Sequence, residues 1–121
     1  KTYLNMAKDM LFSLAITQNQ RIEVYLVYES LNQEDIEDLS KYIEQEKIGV
    51  LYPIYFDSSK LDLPMNISHI TRETYFRLYA PFLLPKNLDR ILFLDADIIC
   101  TDNIKDFYNT NLIKYENEIC K

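Results

Sequence analysis

The sequence predicts an α/β domain of three layers, helices on both faces of a mainly parallel sheet. Three observations predict it. Helical and strand-like patterns alternate in the order α-β-α-β-α-β-α, the strand runs are apolar on both sides, and each strand is separated from the next by a helix-length segment. Parallel strands need such crossovers, and the right-handed crossover packs helices onto the sheet.

Each element has its own justification. Leu4, Ala7, Leu11 and Leu14 recur at helical spacing, so Tyr3 to Thr17 reads as an amphipathic helix. Ile22 to Tyr28 (IEVYLVY) is β-rich and mostly apolar, as expected of a strand covered on both faces. Asn32 is placed to cap a second helix whose core stripe is Ile36, Leu39 and Ile43. Val50 to Phe56 (VLYPIYF) is a second strand, and Pro53, which removes a ladder donor, assigns it to an edge or a bulge.

Ser58 to Ser68, polar and containing Pro64, is a loop. A third helix runs from Thr71 to Phe82, kinked or ended near Pro81, with Tyr75, Leu78, Tyr79 and Phe82 as its stripe. After a turn at Pro85-Lys86-Asn87 comes a third strand, Arg90 to Leu94 (RILFL). Asp102 or Asn103 then caps a short helix carrying Ile104, Phe107 and Tyr108. A doubly wound domain ordinarily opens on a strand, whereas this chain opens on a helix. The expectation is a single, incomplete domain over residues 1–121.

Bulk properties narrow the function. With 121 residues, 48% of them apolar, the chain can bury a core. The net charge of −6 argues against a nucleic-acid partner, which would demand a basic face. No run approaches the roughly 18 apolar residues of a membrane span. Cys100 and Cys120 have neither metal nor redox spacing, and Cys100 reads as a small buried hydrophobe, so a reduced, cytoplasmic setting is expected. There is one glycine, Gly49, which leaves no glycine-rich phosphate loop, and His69 is the one histidine. Phosphate chemistry would therefore rely on metal, arginine or helix N-termini.

The focal motif is Asp95-Ala96-Asp97, at the carboxyl end of the predicted third strand, where open α/β sheets bind ligands. In extended chain, residues two apart share a side and lie roughly 6.6 Å apart, so both carboxylates can converge on one hard cation. Ala96 is small enough for close approach of a ligand. The apolar residues around it (Ile91 to Leu94, Ile98, Ile99) imply two acids in a buried run, which calls for a counter-ion. Two solvated turn aspartates are the plainer alternative. Arg77 could pair with Glu73 four residues earlier on its helix, or face a cleft.

RILFLDADIICTDNIKDFYN (Arg90 to Asn109), preceded by LPMNISHITRETYFRLYAPFLLP (Leu63 to Pro85), resembles glycosyltransferase family 8. That family includes bacterial lipopolysaccharide galactosyl- and glucosyltransferases and glycogenin. The opening KTYLNMAKDMLFSL resembles the segment after the family's first strand. The resemblance implies a GT-A fold, here its N-terminal nucleotide-binding portion, and retaining transfer of glucose or galactose from a UDP-sugar. It also implies Mn²⁺ or Mg²⁺ and a carbohydrate or glycolipid acceptor, with the full-length protein cytoplasmic or peripheral at the inner membrane face.

Position by position, Asp95 and Asp97 match the metal-binding aspartates, with Asp95 also reaching the donor's ribose or sugar and the Ala96 backbone lying along it. Arg77 matches an arginine beside the donor sugar and phosphates, and Tyr3 an aromatic packed on uracil. His69 and Ile70 match positions lining the nucleotide and acceptor cleft. The family's opening strand and its later histidine-containing motif, which supplies a third metal ligand, have no counterpart here. Thr2 stands where an asparagine often does. No residue matches a nucleophile, so no catalytic residue is assigned. The rival reading is a haloacid-dehalogenase-like phosphatase, whose first DxD aspartate is a nucleophile beside Mg²⁺; a non-catalytic nucleotide-binding domain is the other.

Overall fold

A computed structural model describes residues 2–57 and 72–110. Its elements are α1 (Thr2–Gln18), β1 (Ile22–Tyr28), α2 (Gln33–Gln45), β2 (Gly49–Tyr55), α3 (Arg72–Leu83) and α4 (Lys105–Tyr108). β1 and β2 pair in parallel with unbroken register from Ile22↔Gly49 to Tyr28↔Tyr55, joined by α2 as the crossover.

Strand parity determines which side chains meet the helices. Ile22, Val24, Leu26 and Leu51 lie on one face and pack against Leu4, Met10 and Leu11 of α1 and Leu39 and Ile43 of α2. Leu39, Ile43 and Ile48 are wholly enclosed. On the opposite face Tyr25 stacks on Tyr52 at 4.9 Å between ring centroids. Val50 and Tyr52 remain exposed there, so among the described residues this face is only partly covered.

The helix ends follow local chemistry. The Asn32 side chain accepts from the Asp35 N–H at 2.8 Å, the expected cap of α2. α2 closes in a Schellman turn: Ile48 N–H reaches Ile43 O at 2.9 Å and Lys47 N–H reaches Glu44 O at 3.1 Å. Lys47 takes the left-handed position, φ 55°. Asn19 does the same after α1, φ 52°.

Pro53 sits within β2 opposite Leu26 with no interruption of register. Phe56 N–H bonds to Tyr28 O at 2.8 Å, so the amides facing β1 are those of even-numbered residues. The Pro53 nitrogen therefore faces away from β1, on a side where no strand among the described residues calls for its donor. That is the edge placement the sequence predicts.

Three expectations change. Residues 90–94 form no strand: the described residues of this run make no ladder with β1 or β2, and an apolar run becomes a strand only when a neighbour satisfies its backbone. α3 ends near Pro81 as expected, two residues beyond it at Leu83, with Leu84 N–H bonding to Ala80 O at 3.0 Å. Phe82 is 78% exposed rather than part of a buried stripe. At α4 the N-cap position is Ile104 without a side-chain cap, although Asn103 Oδ1 accepts from Lys105 N–H at 2.7 Å. The loop from Ser58 to Ser68 and Cys120 lie outside the described residues.

Candidate functional site

The site is built on residues 90–104. At its start the Arg90 guanidinium donates to the carbonyls of Tyr108 and Thr110, the latter at 2.6 Å. The Tyr108 hydroxyl returns a bond to Arg90 O at 3.1 Å. Leu94 then packs against the α1–α2 core. The chain turns at Ala96-Asp97, and both carboxylates are exposed.

This differs from the expected geometry in two ways. Ala96-Asp97 is a turn, not extended strand, so the same-side spacing of an extended segment does not apply. The flanking apolar residues are not buried either: Ile91, Phe93, Ile98 and Ile99 are all exposed. With no ladder on either side, the run has no strand neighbour among the described residues to bury it.

Arg77 and Asp95, singled out separately from the sequence, are brought together. Arg77 Nη2 donates to Asp95 Oδ1 at 3.2 Å, and its guanidinium carbon lies 4.5 Å from the Phe93 ring centroid. The Glu73 pairing concerns a side chain outside the described residues. Both partners of the Arg77–Asp95 pair are more than half exposed, so it adds little stability and its value is positional. A planar guanidinium held on an aromatic face keeps a fixed positive charge beside the carboxylate.

Tyr3, near the start of α1, is 74% exposed, which leaves its ring free of the core. His69 and Ile70 lie outside the described residues. Among the described residues no group of three or more His, Cys, Asp or Glu side chains forms a metal cage. Two accessible carboxylates nevertheless suit a hard ion such as Mg²⁺ or Mn²⁺, which keeps water or phosphate oxygens as its other ligands.

Sequence reasoning missed how α1 meets this segment. Ser13, buried within α1, accepts from the Cys100 N–H at 2.9 Å. Gln18 Oε1 accepts from the Ile104 N–H at 2.8 Å, while its Nε2 donates to Asp102 O at 3.2 Å. Cys100 is half-buried and its thiol donates to Asp102 O at 3.0 Å, so it is a polar participant rather than a plain hydrophobe. The one available signal was the run Ser13, Thr17, Gln18, polar residues at helical spacing in the otherwise apolar second half of the helix. A cavity of about 300 Å³ lies beside these contacts, lined by Met10, Leu14, Leu94, Ile98 and Ile99 among others.

Comparison with known proteins adds the lineage. The whole chain, residues 1–121, matches the family described as Glycosyl transferase family 8. It is 33% identical over 92 residues to a lipopolysaccharide 1,2-glucosyltransferase of Escherichia coli, which covers 75% of this chain and 27% of that protein. It is 25% identical over 112 residues to glycosyltransferase GlyE of Streptococcus pneumoniae serotype 4, covering 91% of this chain and again 27% of the relative. The chain thus spans about a quarter of the length of these relatives.

Proposed function

Because this chain belongs to glycosyltransferase family 8, we propose that it supplies the nucleotide-sugar-binding portion of a metal-dependent retaining hexosyltransferase. The donor is a UDP-sugar carrying glucose or galactose, and the acceptor is a glycan or lipopolysaccharide-type molecule. The family match over the full chain replaces the phosphatase reading. The glucosyltransferase name of one relative supports a hexose donor.

The observation that carries the site is the 3.2 Å pair between Arg77 and Asp95, adjoining Asp97. It brings a fixed cation from α3 beside the two carboxylates of one exposed turn. In this reading Asp95 and Asp97 hold the divalent ion, Mn²⁺ or Mg²⁺. When bound, that ion offsets the diphosphate charge and stabilises the departing oxygen. Arg77 donates to the donor's phosphate or sugar oxygens from the same side. The Ala96 backbone lies along the donor, its methyl leaving room for close approach. Tyr3 presents its exposed ring to uracil, and Ile70 and His69 line the cleft towards the acceptor. No helix among the described residues is long and apolar enough to cross a membrane; the proposed setting is cytoplasmic or peripheral at the inner membrane face.

Calorimetric titration of the full-length protein with Mn²⁺ and UDP-glucose or UDP-galactose tests the reading. Asp97→Ala is expected to abolish metal-dependent UDP-sugar binding while leaving the fold intact. Binding unchanged in that variant would remove the proposed site.

A further inference from the structure

The two aspartates occupy a turn with no sheet ladder on either side, yet to share one ion they must stay close despite their like charges. Something other than strand pairing has to hold the turn. Upstream, Leu94 is seated on the core and Arg77 grips Asp95. Downstream, three contacts from α1 meet the backbone of residues 100–104, beginning three residues past Asp97.

The chemistry of these contacts is specific. The Ser13 hydroxyl donates to Met10 O at 2.7 Å inside its own helix, which aims its lone pair at the Cys100 N–H. Gln18 uses both ends of its amide, accepting from Ile104 N–H and donating to Asp102 O. That reproduces with one side chain the donor–acceptor pairing a neighbouring strand would give. Nε2 also donates to the Thr17 hydroxyl at 2.8 Å, which fixes the orientation of the amide plane. Gln18 is the last residue of α1, so its side chain can serve the loop at no cost to the helix interior.

We propose that Gln18, with Ser13, is a positioning residue for the Asp95–Asp97 turn: the amide clasp stands in for a strand ladder and sets the affinity for the divalent ion. The inference rests on the metal role proposed above. Groups hydrogen-bonded directly to metal ligands change affinity by roughly 10–100-fold when removed; Gln18 and Ser13 act through the backbone of residues 100–104, so the low end of that range is expected.

The test measures Mn²⁺ affinity of the full-length protein by electron paramagnetic resonance of free Mn²⁺, well below the thermal transition. Gln18→Leu and Ser13→Ala are compared with Asp97→Ala and with Gln20→Leu, an exposed control just past the helix. Gln18→Leu should weaken Mn²⁺ binding by roughly tenfold and speed hydrogen exchange at the Ile104 amide, with Tm and the control unchanged. Ser13→Ala should act in the same direction. Parent-like Mn²⁺ binding in both variants, with Asp97→Ala defective, overturns the clasp alone. Parent-like binding in Asp97→Ala overturns the metal reading and the clasp with it. An affinity loss that tracks a fall in Tm assigns Gln18 to general stability and also overturns the proposal.

Discussion

Gly49→Ala should destabilise the protein, although strand propensity alone argues the reverse. Gly49 opens β2 in register with Ile22, and a Cβ built on it would run into the Ile22 carbonyl oxygen and lie 2.7 Å from the carbonyl carbon. These are backbone atoms, which cannot swing aside as a side chain could. They are also fixed from behind, because Ile22 N–H bonds to Ile48 O at 3.0 Å and Ile48 is wholly enclosed. With space available, replacing glycine by alanine would stabilise by about 0.4–1 kcal/mol through the unfolded chain. Overpacking costs about 1–3 kcal/mol, and separating the strands would weaken a hydrogen bond worth about 1 kcal/mol.

The net expectation is a loss of about 2 kcal/mol, or roughly 10 °C in Tm for a domain of about 100 residues. Differential scanning calorimetry of parent and variant gives the shift, and hydrogen exchange at the Ile22 amide should rise in the variant. A Gly49→Ala protein as stable as its parent, or more so, would falsify the reasoning, since only the steric term makes the sign negative.

Two further outcomes follow from the same structure. Lys47→Gly should raise stability by about 0.5–1 kcal/mol, because Lys47 holds a left-handed φ that glycine adopts freely; a urea midpoint at or below the parent's would contradict this. Burial, then the neighbouring Glu23 and Tyr52, raise the Tyr25 pKa; burial, then Glu46 and Asp9, raise that of Tyr42, with Lys8 opposing. Each proton is thus held more tightly in the folded state than in the unfolded one. The associated stability is intact below the unfolded value near 10 and is lost as pH climbs through the folded one. Tyrosinate absorbance should therefore develop later in the native protein than in urea, with Tyr25→Phe reducing the lag.

The legible parts of the sequence were those whose signal is local. The stripe of Leu4, Leu11 and Leu14, the strand Ile22–Tyr28 and the Asn32 cap are each written within a few residues and each is found, although among the described residues β1 is fully covered on neither face. The Arg90–Leu94 run misled because strand propensity describes a tendency that only a partner strand can realise. Gln18 was silent for a related reason: its partners lie 84 and 86 residues away, and no periodicity marks such a bond. Arg77 and Asp95 were each named in advance, but their joining could be seen only once α3 and the turn were placed. The glycine was noticed for the phosphate loop it could not form, whereas its role is to let two backbones meet.

Pro53 gives the sheet a direction. β2 already spends its inward amides on β1, and along its outer margin the ring of Pro53 interrupts the row of donors that another strand would need. A strand added there would meet a gap halfway along, so recruitment of stray chains at that margin is discouraged. The side of β1 away from β2, unpaired among the described residues, carries no such gap, and further strands can extend the sheet there with a full set of hydrogen bonds.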